Sequence, residues 1–434
     1  MCIRDRADIR QLKSNLELHH PGLYRYASRE EIDHAFSVVE TRVIAPLTVL
    51  EFFRALSPAV AAVQCGHTRL RLPDGYVASD QSARLFPLDV EFSGEAVLVR
   101  RDKSDTPVVP PGSELLSIDG VPIAEIVDQI LRSLPRDGVI TTGPKDDIEE
   151  RLGFAIWQFI DERRTQYRVE YRSRDRHIHE ALLKGISPAE SRKRSTDERP
   201  GLSLKLLETP NAAVLDIRGF SANATDSQGV AFEDFLEQSF ETLCEREVEN
   251  LILDLRGNGG GADMLGVLLV SYLSPEPFGY FAQIEVTKAY SGHGQIVTRD
   301  NGRKFVTAHE GLQVHHPQED YFLGNLYVLI DGGTFSTATD VATVLHHNEL
   351  GVFIGEETGG GYDGNTSGTS TTEVLHHSRL RCSIPRWMYT TANIGHEFFA
   401  RGVIPDHIIP WTTSDLASGS DTQLNFVLAL IRTQ

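Results

Sequence analysis

The chain has 434 residues, with 61 acidic and 42 basic side chains and a formal net charge of -19. That length exceeds one ordinary core and predicts two or three domains with sizeable apolar interiors, while the acidic balance argues against nucleic acid and anionic membrane surfaces as partners. A membrane-spanning helix needs about 18 consecutive apolar residues, and the longest apolar run, Met264 to Leu273, is shorter and is broken by Gly266 and Ser271.

The opening MCIRDR looks unrelated to the rest of the chain, and no apolar h-region of a secretion signal stands after it. Ser28 and Glu31, then Thr48 and Glu51, have capping-box spacing, each ahead of a helical apolar pattern: Ile32, Phe36, Val39, Val43, then Phe52, Phe53, Leu56, Val60. These helices make an N-terminal segment over 1–72 that ends at Cys65-Gly66-His67-Thr68, a helix-to-strand turn. Short strands come next at Leu85–Phe92, Ala96–Arg100 and Glu114–Ile118, the last ending in the hairpin signal Asp119-Gly120. Ile123, Ile126, Val127, Ile130 and Leu134 close this β-rich module, 73–140, with an amphipathic helix.

The remainder, 141–434, is expected to form one core. Ile148 to Tyr167 reads as a helix, Tyr167 to Tyr171 as a strand, and Ser187 to Gly201 as a linker or exposed loop. The rhythm then alternates: strand at Ala213–Ile217, helix from Phe232 to Leu243, strand at Leu251–Leu255, helix at Met264–Leu273, strand at Leu326–Ile330, helix from Thr334 to Leu345. Such alternation predicts an α/β fold with a largely parallel, helix-covered sheet. Tyr362 to Ser370, rich in Gly, Asn, Ser and Thr, reads as a loop, either over a cleft or on plain surface.

Two turns could carry chemistry. Ser336 stands where a buried strand passes into a helix, so it is either a plain N-cap or a nucleophile placed beside the unpaired, partially positive amides of the helix start. The second turn, Gly257-Asn-Gly-Gly-Gly261, also lies between strand and helix. Read alone it fits a dinucleotide fingerprint, but Asp254 and Arg256 intrude, and no strand ending in an acid is clear about 20 residues on. The alternative is that backbone amides of Gly259 and Gly260 point at a developing oxyanion. Asp254 and Arg256 share one face of a strand and suit bracing. His67, alone on its turn, is either a hydrogen-bonded structural group or a base. Adjacent histidine pairs such as His346-His347 make poor metal sites, and Cys2, Cys65, Cys244 and Cys382 have neither zinc-site nor disulfide-framework spacing, so neither metal nor cofactor is expected.

The blocks NLILDLRGNGGG, GGTFSTATD, GVFIGEETGGG and GHEFFARGVIPDHI, in that order, resemble the tail-specific, C-terminal-processing serine peptidase superfamily. The resemblance spans roughly Leu202 to Pro410 and implies a crotonase-like α/β core. PPGSELLSIDGVPIAEIVDQIL resembles the second half of a PDZ domain, although Leu85-Phe-Pro-Leu88 replaces the Gly-rich carboxylate loop. The resemblance implies Ser336 as nucleophile, with the Thr337 amide and the Gly259/Gly260 loop as oxyanion donors. The lysine-using branch would carry its base at Gly361, and no lysine follows Lys304. The resemblance is therefore to the tricorn-like branch, which implies His67 as general base, Glu397 as orienting acid, with His396 an alternative base and Thr68 an assistant. It implies a peptide or unfolded protein as substrate and leaves a homo-oligomer open. Relatives are usually exported, so a truncated N-terminus would point to a periplasmic or exported protein, and an intact one to the cytoplasm. The competing functions are a retinoid-binding-like, non-catalytic protein on the same fold and a dinucleotide-dependent oxidoreductase.

Overall fold

The structure, a computed structural model, describes residues 2–76, 82–194, 200–292, 294–392 and 398–433. Its centre is a six-stranded sheet whose strands are β1 (Leu202–Leu207), β2 (Ala212–Ile217), β3 (Asn250–Asp254), β4 (Asn325–Ile330), β5 (Val352–Gly355) and β6 (His407–Ile408), in the spatial order β6-β5-β4-β3-β2-β1. β2 to β6 pair in parallel and β1 adds an antiparallel edge. Every residue of β3 is buried, as the continuous apolar run requires of a strand covered on both faces. One face packs on α1 (Phe232–Glu245), α2 (Asp263–Leu273) and α3 (Thr337–His347); the other packs Ile252, Tyr327 and Ile354 against Val427 and Ile431 of the helix Thr422–Ile431.

Among the described residues there are two further antiparallel sheets of six strands each and a two-stranded pair of Phe278–Gly279 with Val314–His315. One six-stranded sheet begins with strands Leu88–Ser93, Ala96–Asp102, Glu114–Ile118 and Val121–Pro122, closed by the helix Ile123–Leu131 as expected. It then takes in Gln166–Arg172 and Ile178–Lys184, so its chain runs past the boundary expected at 140. The expected helix from Ile148 to Tyr167 is instead two short helices, Thr142–Glu149 and Leu152–Phe159, divided at the turn around Arg151, and the polar stretch Asp161 to Thr165 separates them from the strand. The other six-stranded sheet, the flanking sheet, joins Phe281–Val286, Ile296–Thr298, Lys304–Val306, Thr366–Val374 and Arg381–Thr391 to the two-residue strand Leu70–Arg71. Part of the Tyr362–Ser370 stretch, expected as a loop, is therefore strand. Its Ser/Thr-rich face is solvent-facing, so no apolar alternation marks it.

Both N-terminal capping boxes form: the Ser28 and Thr48 hydroxyls accept the Glu31 and Glu51 amides, and each glutamate reaches back to its cap's N–H. A third box, Ser187 with Glu190, starts the helix Pro188–Lys193 inside the expected linker. An unanticipated helix, Cys2–His19, runs through the opening MCIRDR and buries Ile9, Leu12 and Leu16. Asp8, also buried, accepts the His377 and Ser378 amides and so binds that helix to the flanking sheet. No helix among the described residues is long and apolar enough to cross a membrane.

Asp254 and Arg256 brace the end of β3. The guanidinium donates to Asp254 Oδ1 and Oδ2 at 2.9 and 2.6 Å, to Asp421 Oδ1 and Oδ2 at 2.9 and 2.7 Å, and to Gln423 Oε1 at 3.0 Å. The strand end is thereby fastened to the C-terminal helix. Arg256→Ala leaves Asp254 buried without its counter-charge, and removing one partner of a buried pair costs about 3–5 kcal/mol. A urea melt is expected to show a midpoint lowered accordingly.

Candidate active site

Ser336 begins where β4 ends. Asp331 Oδ1 accepts the amides of Thr334 at 3.0 Å and Gly257 at 2.8 Å, the Thr334 hydroxyl donates to the Leu255 carbonyl at 2.8 Å, and the Phe335 amide donates to the Asn258 carbonyl at 2.9 Å. These bonds fix the serine turn against the glycine loop. α3 starts at Thr337 rather than at Thr334, because Ser336 adopts φ 54 and ψ -128, outside the helical region. Positive φ in a residue with a Cβ is strained and tends to mark functional sites. The side chain makes no cap hydrogen bond, so the plain N-cap reading fails.

The Ser336 hydroxyl meets His67 instead: His67 Nε2 lies 3.1 Å from Ser336 Oγ. The distance is short although the residues are 269 positions apart, because the turn carrying His67 leads into Leu70–Arg71, which pairs with Cys382 and Arg381 of the flanking sheet. The imidazole stacks on Phe335, ring centroids 4.6 Å apart. Burial, and after it the Arg69 charge, pushes its pKa down to about 3, so the ring is neutral in the free protein and Nε2 can accept a proton.

Thr337 starts a helix whose first nine residues are buried, and among the described residues no acceptor takes its amide. The Gly259 amide is likewise untaken, whereas the Gly260 amide donates to Asn258 Oδ1 at 2.9 Å. Gly260 has another duty: at φ +91, a Cβ on it would stand 2.7 Å from Ser336 Cβ and 2.8 Å from the Thr337 nitrogen, so glycine is what lets the loop lie against the serine. His67, Gly259 and Phe335 line a cleft of about 570 Å³, and Ser367, Gly368 and Ser370 form part of its wall. Of the Tyr362–Ser370 stretch, the end lines this cleft, whereas Tyr362 to Thr366 are buried.

Thr68 turns away, its Oγ1 lying 2.8 Å from His20 Nε2. Glu397 and His396 lie outside the described residues. Sequence reasoning missed Asp137, which accepts the Gly66 amide at 2.8 Å just before His67; the one available signal was its position in the turn Arg136-Asp137-Gly138 after an amphipathic helix.

An α/β fold with a serine held at a strand-to-helix turn and a neutral histidine on its hydroxyl has the parts of a serine-type hydrolase. Residues 211–409 match the sequence model of Peptidase family S41. Over that stretch the chain resembles the tail-specific, C-terminal-processing serine peptidase superfamily, and it is a serine-type peptidase. Its fold resembles the crystal structure of mature CPAF, with a TM-score of 0.73 at 14% identity over 100% of this chain and 98% of that one. It also resembles a putative peptidase from Parabacteroides merdae, with a TM-score of 0.53 at 15% identity over 99% and 96% of the two chains.

Two outcomes are expected. Glycine relieves the backbone strain at position 336 and alanine does not, so Ser336→Gly should be more stable than Ser336→Ala by about 1 kcal/mol, read by denaturant melts of the two variants. His20, like His67, is pushed down to about 3 by burial. An unfolded histidine protonates near 6.5, so each contributes stability that is present above about 6.5 and is lost as pH falls toward 3. Carboxyl groups held up by burial, Asp340 among them, act in the opposite sense. The signal is therefore the difference between parent and His20→Gln, whose melting temperature should fall less steeply across that window.

Proposed function

We propose that this protein hydrolyses peptide bonds through an acyl-enzyme on Ser336, with His67 as general base. The observation that carries the reading is the 3.1 Å approach of His67 Nε2, which lines a cleft, to the Ser336 hydroxyl on its strained turn. Ser336 Oγ attacks the scissile carbonyl carbon as its proton passes to Nε2. The oxyanion is received by the Thr337 and Gly259 amides, with the Gly260 backbone shaping the loop beside them. Collapse expels the amine, which takes the proton from Nε2 and leaves an ester on Ser336. Water then attacks the ester, its proton going to the same nitrogen, and the acid product leaves as Nε2 returns that proton to Ser336 Oγ. Glu397 supplies further orientation, and Asp254 and Arg256 keep the glycine loop in register.

The substrate is a peptide or an unfolded protein segment laid along the cleft, and the chemistry needs no metal or cofactor. We read the architecture as a crotonase-like peptidase core of the tricorn-like branch, preceded by an N-terminal helical segment and a PDZ-like module with a structural role. The absence of any lysine after Lys304 supports this branch over a serine/lysine dyad.

A serine-directed fluorophosphonate should label the parent and fail to label Ser336→Ala. His67→Ala, folded by circular dichroism, should label about 10²–10⁴-fold more slowly, the range for loss of a general base. A folded parent that stays unlabelled would sink the proposal in favour of a non-catalytic binding protein.

A further inference from the structure

In the tautomer that serves catalysis, His67 Nε2 is the acceptor and the ring proton sits on Nδ1. That second nitrogen is buried and has no hydrogen-bond partner among the described residues; Asp137 Oδ2 is also buried and makes no close hydrogen bond, with the Gly361 amide the other backbone donor near that carboxylate. A ring nitrogen of His67, an Asp137 carboxylate oxygen and Cys65 Sγ all lie within 4.8 Å of one another. The Asp137 backbone is held from both sides, since the Ile140 amide bonds its carbonyl and the neighbouring Gly138 and Val139 amides bond the Gln64 and Ala400 carbonyls. Its carboxylate is held by the Gly66 amide on Oδ1. Buried polar atoms without a close partner cost stability unless they serve something.

Taking the serine–histidine reading as its basis, we infer that Asp137 is the positioning residue of His67, the carboxylate that holds the imidazole with its Nδ1 proton turned inward and Nε2 toward Ser336. In the free protein the gap exceeds a hydrogen bond. Contacts of this kind are often long before substrate binds and tighten in the reacting complex, directly or through one bridging water. As the Ser336 proton arrives on Nε2, the Nδ1 proton stays on the ring and the Asp137 carboxylate faces the new imidazolium; no proton passes to Asp137. This resolves a tension in the site. Burial makes a charged His67 unfavourable in the resting protein, and a carboxylate beside Nδ1 stabilises that charge at the step that creates it.

His67 faces Arg69 and His20; Asp137 faces Arg25 and Arg69, with Cys65, the buried Asp340 and the buried Tyr26 hydroxyl also within its field. Burial holds the Asp137 carboxyl above its usual range, against the Gly66 amide, the Arg25 charge and the Gly361 amide. A Cβ on Gly361 would lie 2.9 Å from Tyr26 Oη and 3.8 Å from Asp137 Cβ, so the polar pocket reaches to that glycine. The third member of the cluster is not offered as a metal ligand: Cys65 Sγ donates to the Thr366 carbonyl at 3.4 Å, and burial pushes its thiol up to about 12.

The test compares parent, Asp137→Asn and Glu397→Gln in fluorophosphonate labelling rate across pH, with thermal melts and ¹⁵N spectra of histidine-labelled protein. Asp137→Asn keeps an oxygen for the Gly66 amide, so it should melt close to the parent. Its labelling at neutral pH should fall about 10²–10⁴-fold, as when a triad acid becomes an amide and the wrong tautomer is favoured. The His67 signals should change from the Nδ1–H to the Nε2–H form. A folded Asp137→Asn that labels at the parent rate overturns the inference. So does a loss matched by the same fractional loss of folded protein with the tautomer unchanged, or a Glu397→Gln variant that alone produces the tautomer change. If Asp137→Asn fails to fold, the parent decides: Nδ1–H supports the inference and Nε2–H overturns it. An unlabelled parent would refute the peptidase chemistry itself, and parent labelling separates that failure from failure of the Asp137 assignment.

Discussion

The site depends on one hydrogen bond, between Ser336 and His67, and much of the surrounding architecture bears on its 3.1 Å length. A serine hydroxyl is a weak nucleophile without an adjacent base, and neither partner could hold the geometry alone. The serine is fixed by the bonds from Asp331, Thr334 and Phe335 to the glycine loop, and the loop in turn by Arg256 and the C-terminal helix. The histidine is fixed by the Phe335 ring and by two residues of strand that belong to a sheet made otherwise of distant sequence. Strain at Ser336 persists because its neighbours are over-determined on both sides.

The parallel sheet was legible because its strands are continuous apolar runs alternating with amphipathic helices, and Ser336, Gly259 and Gly260 could be placed on their turns from that rhythm alone. Capping boxes at Ser28 and Thr48 gave the helix starts to the residue. The flanking sheet was hidden for a physical reason. Its strands are short, or, like Thr366–Val374, polar on the side that meets water, and they pair across long stretches of chain. The same non-local pairing hid how His67 reaches Ser336, and the resemblance to known peptidases, rather than any periodicity, supplied that pairing as an expectation. Asp137 was invisible because a lone acid in a turn looks like any other turn acid until the fold buries it.

The sheet that begins at Leu88–Ser93 illustrates a different limit. Its first strands and closing helix could be read in order, yet the sheet is completed by Gln166–Arg172 and Ile178–Lys184, which come after two helices later in the chain. Local pattern marks elements, whereas membership of a sheet is settled by which edges remain open once the first strands have paired.

The long separation between Ser336 and His67 has a consequence for biosynthesis. The strand after His67 pairs with Cys382 and Arg381, so the turn that carries the imidazole has no sheet to dock on until the segment Arg381–Thr391 has left the ribosome. Until then a growing chain holds a serine on one side and an unanchored histidine on the other. The pairing of Ser336 with His67 is thus completed only when nearly the whole chain has been synthesised.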